Sequence, residues 1–388
     1  MTICLKGITW GHTRGFLPMV ATAQRFAETH PGVRIDWQVR SLQEFADASI
    51  AALAPRYDLL VIDHPFAVHA AKGGILAPLD EVISRDFLAE LAVNSVGASH
   101  GSYFCGGHQW ALATDAAAPI SGWRADLLER YGVSHPTTWE SLLELASRGL
   151  VAVPGIPIDS LMHFYMFCIA LGEEPFLHAE SVVEGGIGMR ALAMQRELMR
   201  LCDPRCLSMN PIAVWELLAS GDTVAYCPFA YGYSNYSCAG YGKNPLTAGG
   251  LVGLEEGASF RSTLGGAGLA IAAGCEHLKI AAEYASYVAS ASCQSTLYFN
   301  SGGQPGHRAA WTSSEVNRRC NGFFENTLST LDKAYSRPQF PGYLDFQEQA
   351  GPVLHRYLTG EENSEKATLT ALNRLLRGCQ KMEREHLA

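Results

Sequence analysis

The chain reads as an α/β protein of more than one domain. Three observations carry that reading. The first 66 residues run strand, helix, strand, helix, strand, which makes a parallel sheet the economical arrangement. The 388 residues are too many for one ordinary domain and enough for two. With 48% hydrophobic and 17% charged residues, the composition is that of a folded protein with a sizeable core.

The opening elements follow from pattern. Ile3–Trp10 is an apolar strand that breaks at Gly11-His12-Thr13-Arg14-Gly15. From Phe16 to His30, Phe16, Val20, Ala23 and Ala27 share one face of a helix, which Pro31-Gly32 ends. Val33–Val39 alternates as a second strand, and Tyr57–Ile62 is a continuous apolar run, as a strand buried on both faces should be. In such sheets ligands bind beyond the carboxyl ends of the strands. Residues 10–15, Arg40-Ser41 and 63–66 therefore converge on one place.

Further along, residues 67–100 read as helical and connecting, and 102–118 as glycine-broken and then strand-like. Val151–Pro154 is a strand before a helix from about Asp159 to Leu171. Helices follow near 188–201 and 211–219, then a strand over Thr223–Cys227 and a tyrosine-rich loop over Tyr231–Tyr241. Thr263–Ala272 is another strand, His277–Tyr298 a helix, 300–307 a loop, and the tail from Ser364 to about Glu385 an amphipathic helix.

Composition excludes several classes. A net charge of −9 without a long basic run speaks against nucleic acid as a partner. No apolar run reaches the ~18 residues of a membrane span. The 11 cysteines are scattered; only Cys202 and Cys206 are close, with no second pair to complete a zinc site. That pattern leans towards a reducing compartment. Phosphate-loop, zinc-protease and dinucleotide fingerprints are absent, and no cofactor or metal is expected.

Several segments, in order, resemble the bacterial extracellular solute-binding proteins of family 1, the maltose-binding-like type II periplasmic fold. They are Phe26–Arg34 (against F-E-x-x-H-P-G-V), Tyr57–Asp63 (Y-D-L-V), Gly74–Asp80 (G-x-L-x-P-L-D), Gly107–Asp115 (G-K-x-Y-A-L-P), Leu264–Ala270 (G-G-x-x-x-A) and Ala281–Val288 (A-x-x-F-x-x-F-x). The resemblance implies two lobes, each a mostly parallel sheet flanked by helices and joined by hinge crossovers. Lobe one would be 1–110 plus 264–312, and lobe two 111–263 plus 313–388. The ligand would lie between them, with hinge closure around it. It also implies a monomer working with an ABC permease, and a periplasmic location if a leader was removed. A native start at Met1 would instead make the protein cytoplasmic.

Candidate ligand contacts are then those near the strand ends. Trp10 could stack on a sugar ring or be core. His12 shares its turn, and Arg14 could hold a carboxylate bidentately or be solvated. Arg40 and Ser41 follow the second strand. Asp63 and His64 follow the third, as a lining loop or as a turn that caps a helix. Asp115 could accept from ligand hydroxyls or be an ordinary hinge carboxylate. Ser160 and His163 sit at a helix start that favours anions, with capping as the bland account. Tyr231, Tyr233 and Tyr236 offer flat faces with hydroxyls. Gln304 and His307 lie in a glycine-shaped loop. The expected activity is capture of a sugar, a polyol or a small organic acid without covalent chemistry. The rivals are an enzyme on the same fold, thiaminase-I-like, with Cys105 or Cys227 as nucleophile, and a cytosolic ligand sensor.

Overall fold

The computed structural model describes residues 2–47, 49–255, 259–340 and 342–386. It divides into two compact units, Met1–Ala117 with Leu264–Arg319, and Ala118–Thr263 with Cys320–Ala388.

The first unit is built on a five-stranded sheet. Its strands are β1 (Ile3–Trp10), β2 (Val33–Arg40), β3 (Leu59–Ile62), β6 (Leu112–Ala117) and β10 (Gly265–Ile271). A short hairpin of β4 (Phe104–Cys105) and β5 (His108–Gln109) stands apart. The sheet order is β2-β1-β3-β10-β6. β1 pairs in parallel with β2 and β3, as the opening pattern predicts, and β10 runs antiparallel between β3 and β6. Every residue of β3 is buried, which explains its unbroken apolar run. The helix Thr13–Thr29 lays Met19, Ala23 and Phe26 on a core shared with Leu5, Leu59, Val61, Leu269, Tyr284 and Val288. It begins three residues earlier than its apolar face suggests, because His12 caps it.

The second unit holds β7 (Pro119–Trp123), β8 (Tyr226–Tyr231) and β9 (Thr247–Gly249), in the order β8-β7-β9. Here the sheet departs from the expected mostly parallel form: β7 is antiparallel to both neighbours. Among the described residues, parallel pairing shrinks to isolated bridges, Thr138 with Gly253, Thr263 with Tyr335, and Val151 with Tyr226, the last flanked by Ala225 N–H to Leu150 O at 2.8 Å and Ala152 N–H to Tyr226 O at 3.1 Å. Pro154 follows at once and offers no N–H to extend the ladder. β8 also starts later than the predicted strand at Thr223, since Gly221 and Asp222 turn the chain first.

Helices carry most of this unit. Pro157–Ala170 is its buried centre, flanked by Gly185–Leu201 and Tyr343–Thr359, with Glu365–His386 packed on those two. In the first unit the predicted helix His277–Tyr298 is broken instead. Leu278–Ala289 ends at Ser290, whose hydroxyl caps a new turn, and Gln294–Tyr298 winds as a π segment. Among the described residues, no helix is long and apolar enough to cross a membrane.

Candidate functional site

In the first unit the strand register sets the geometry. Trp10 and Arg40 are paired neighbours at the carboxyl ends of β1 and β2, so their side chains leave the same side of the sheet. Trp10 is core: its ring is 3% exposed and packs on Phe45 at 5.0 Å. Gly15 is needed beneath it, since a Cβ there would run into the indole. Its Nε1 has no hydrogen-bond partner. Arg40 reaches over the end of the sheet. Its Nη2 donates to Val61 O at 2.9 Å and its Nη1 to Glu44 O at 3.2 Å, with the guanidinium 5.2 Å from the Phe45 ring. Burial brings Arg40 down to about 10, against the attraction of Glu44. Ser41 and Glu44 close a reciprocal cap, Ser41 N–H to Glu44 Oε2 at 2.7 Å and Glu44 N–H to Ser41 Oγ at 3.1 Å.

His12 and Arg14 open the first helix. His12 Nδ1 accepts from Arg14 N–H at 3.0 Å, which requires the neutral ring. Burial, and then the Arg14 charge, lower its pKa to about 4. The Arg14 side chain is spent on Asp115: Nε to Oδ2 at 2.8 Å, with Nη2 to Oδ1 completing the fork. Both side chains are buried, and burial raises the Asp115 carboxyl while Arg14 pulls it back. Asp115 pairs in register with Ala267 and bridges to Pro305. Arg14 is thus not the solvated loop residue that one sequence reading allows, nor is Asp115 an open carboxylate.

Asp63 Oδ1 accepts from the N–H of His64 at 2.8 Å, and the Asp63 carbonyl accepts from Phe66. His64 is buried, with Nε2 3.3 Å from Leu264 O. Gln304 ties itself to Ala116 by Nε2–H to O at 2.8 Å. His307 caps a short helix through Nδ1 and sets Nε2 3.0 Å from Glu90 Oε1. The loop 300–307 therefore belongs to the frame around β6.

The second unit gathers the remaining candidates. Ser160 is not a cap: its hydroxyl donates to Gly155 O at 3.0 Å from inside the helix Pro157–Ala170, whose N-cap is Ile156. His163 lies 5.8 Å from the Phe229 ring with Nε2 unpartnered, and burial takes its pKa down to about 3. Tyr231 ends β8 half-buried, its hydroxyl 3.3 Å from Thr263 Oγ1. Tyr236 is buried and donates to Glu216 Oε1 at 2.7 Å, with the Tyr233 and Tyr241 rings edge-on to it. These three tyrosines are not one exposed strip.

Asp159 is the group that sequence reading missed. One helical turn before His163, it is 3% exposed, its Oδ2 has no partner, and burial raises it to about 8. An aspartate in the first turn of a helix is so ordinary that the sequence offers no sign of it. Among the described residues, no three His, Cys, Asp or Glu side chains are grouped to hold a metal ion.

Comparison with known proteins bears on this arrangement. Residues 10–160 match the family described as bacterial extracellular solute-binding protein. No curated protein matches. Among solved structures, maltose-bound MalE3 of T. maritima is similar at a TM-score of 0.82 and 17% identity, covering 97% of this chain and 99% of that one. The GacH receptor of Streptomyces glaucescens, solved unliganded and with acarbose, gives 0.81 and 18% over 98% and 99%. An ABC transporter solute-binding protein of Agrobacterium radiobacter K84, in complex with ribitol, gives 0.81 and 18% over 98% of each chain. The family match thus covers residues 10–160, and the fold is similar over nearly the whole chain to that of solved solute-binding proteins.

Proposed function

We propose that the protein reversibly captures a neutral, hydroxyl-rich solute, a sugar or a polyol, as the substrate-binding component of an ABC importer. In this reading the two compact units are lobes that close on the ligand by hinge bending. The chain acts as a monomer, delivers to a permease and has no business with nucleic acid. The family match over residues 10–160 supports a binding role, and the similar structures described above hold maltose, acarbose and ribitol.

One observation favours a neutral solute over an organic acid. Arg14, the best carboxylate clamp in the sequence, already holds the carboxylate of Asp115. Capturing an acid with it would strand Asp115, buried and unpaired, at a cost of about 3–5 kcal/mol. Arg14, Asp115, Trp10 and Tyr236 are then frame residues of their own units. Ligand contact falls to His12, Asp63, His64, Ser160, His163, Tyr231 and Tyr233, with Arg40, Ser41, Gln304 and His307 at the margins. Cys227 is disfavoured as a nucleophile: its thiol is fully buried, and burial pushes it well above its ordinary value.

Thermal-shift and calorimetric screening with sugars, polyols and small organic acids tests the reading. A ligand at a hundredfold excess over Kd adds ~2.7 kcal/mol of stability. A neutral polyhydroxylated hit with no turnover is the expected result. A carboxylate as the sole hit, or consumption of the ligand, would overturn it.

A further inference from the structure

The hairpin of β4 and β5 puts a thiol, an imidazole and a carboxylate in one place. Gly106 and Gly107, both at positive φ, form its two-residue turn, so Cys105 and His108 close the turn and pair directly across it. Residues paired in this way stand on one face of a hairpin, with Cβ atoms roughly 4.5–5.5 Å apart. Trp110, two residues on, shares that face. Its ring lies 5.7 Å from the His108 ring, and its Nε1 donates to Cys105 O at 2.8 Å.

Asp80, in the turn Leu79–Glu81, holds β5 by both carboxylate oxygens. Oδ1 accepts from Gln109 N–H at 2.9 Å, and Oδ2 lies 3.0 Å from His108 Nδ1. Burial opposes the Asp80 charge, but the hydrogen bonds from Gln109 and His108 outweigh it and keep the carboxyl below its ordinary value. A carboxylate only accepts, so Nδ1 carries the ring proton and Nε2 of neutral His108 keeps a lone pair. The His108 and Asp80 side chains are 39% and 32% exposed and Cys105 is half-buried, which leaves the group open to small molecules. The other two cysteines that are not buried are placed differently: Cys4 Sγ donates to Asp36 Oδ2 at 3.7 Å and Cys238 Sγ to Ser234 O at 3.4 Å.

We propose that Cys105, with His108 as its base and Asp80 positioning that base, is a modification site for low-molecular-weight disulfides. His108 Nε2 takes the Cys105 proton as the Cys105 sulfur attacks one sulfur of the disulfide. A new S–S bond forms to Cys105, the S–S bond of the reagent breaks, and the departing thiolate takes the proton from the imidazolium. One thiol and one disulfide give one mixed disulfide and one thiol, so electrons balance without a further oxidant. Attack of a small thiolate on the mixed disulfide runs the reaction back. The consequence is a reversible adduct on the surface of the first unit, on the hairpin that precedes β6.

The test treats the whole reduced chain with oxidised glutathione at neutral pH, quenches with acid and follows each cysteine by peptide mass. Cys105 should take up a glutathionyl group before the more exposed Cys4, and dithiothreitol should remove it. His108→Ala should slow the Cys105 adduct on the order of a hundredfold, the lower end of what a positioned base contributes, and added imidazole should restore part of the rate. Asp80→Asn keeps an acceptor for Gln109 N–H but offers Nδ1 an amide N–H, which turns the ring proton to Nε2 and should slow the adduct too. Nitrogen-15 shifts of the His108 ring read that change of tautomer, which loosening of the hairpin alone would not mimic. Adduct on Cys4 ahead of Cys105 would overturn the proposal. So would a His108→Ala rate equal to wild type or unmoved by imidazole, or an unchanged tautomer in Asp80→Asn. Should the variants fail to fold, as read from their melting curves, the order of the wild-type adducts decides alone.

Discussion

Arg14 and Asp115, 101 residues apart, hold one another in a buried two-pronged ion pair. The contact ties the first turn of the opening helix to β6, the strand whose chain runs on into the second unit. Burial works against both charges, and only the fork geometry with its two hydrogen bonds offsets that cost. Breaking one side is therefore expected to be expensive. Asp115→Asn should lower the unfolding free energy by about 3–5 kcal/mol. Denaturant melts of Arg14→Met, Asp115→Asn and the double variant would measure it. A double variant no better than the sum of the singles would refute the coupling.

His12 supplies an acid sensitivity with a defined window. Folding lowers its pKa from 6.5 to about 4, so the unfolded chain takes up the proton first as pH falls. Its stabilising contribution is complete above 6.5 and is eroded as pH drops towards 4. His12→Asn keeps a side-chain acceptor for Arg14 N–H but removes the titration. The fall in melting temperature between those limits should be shallower in the variant than in the wild type. Parallel curves would show that His12 does not carry the effect.

Much of the frame is legible in the sequence, for reasons that differ by element. β1 and β3 declare themselves as apolar runs inside the sheet, and β2, at its edge, by alternation. Residues 313–363 do not: the helices Phe323–Asp332 and Tyr343–Thr359 start after Gly322 and Gly342 at positive φ, without a Ser, Thr or Asp cap, and the second contains Pro352. The candidate site reads less well, because sequence shows which groups are polar but not which partners absorb them. Tyr236 looks like a ligand contact until Glu216, on the helix Pro211–Ser220, takes its hydroxyl. Arg14 and Asp115 look like two contacts and are one pair.

That absorbed hydroxyl has a measurable worth. Tyr236→Phe would leave Glu216 without its donor, though Glu216 keeps access to water at the edge of the helix. The expected loss is roughly 1–2 kcal/mol of stability, in the range for a hydrogen bond to a charged acceptor. Urea titration reads it directly. No change would mean that the tyrosine contributes through its ring alone.

Gly155 is a test of packing. A methyl group there would meet Cys206 O at 2.8 Å and Leu207 Cα at 2.9 Å, both backbone atoms that cannot swing away. Gly155→Ala should therefore destabilise by about 1–3 kcal/mol, the usual cost of overpacking. Its φ is not in the left-handed region, so the penalty would come from contact rather than from the backbone. A thermal melt within error of the wild type would mean that the 202–209 turn yields.

Asp159 reverses the usual sign of a carboxylate. Burial raises it from 3.8 to about 8, so the folded protein holds its proton while the unfolded chain gives it up. Stability from this group is whole below 3.8 and is lost as pH rises towards 8. His163 acts in the opposite sense, but only between about 3 and 6.5, where its folded and unfolded forms differ. Above 6.5, Asp159 can be read without it. Between that point and pH 8 the wild type should lose stability at up to roughly 1.4 kcal/mol per pH unit from Asp159. Asp159→Asn keeps the size and the hydrogen-bonding groups and cannot ionise. Its unfolding free energy should be flatter across the window and higher than the wild type at the alkaline end. A variant that tracks the wild type in slope would mean that Asp159 is ionised in the folded protein, and that a partner or solvent reaches its Oδ2.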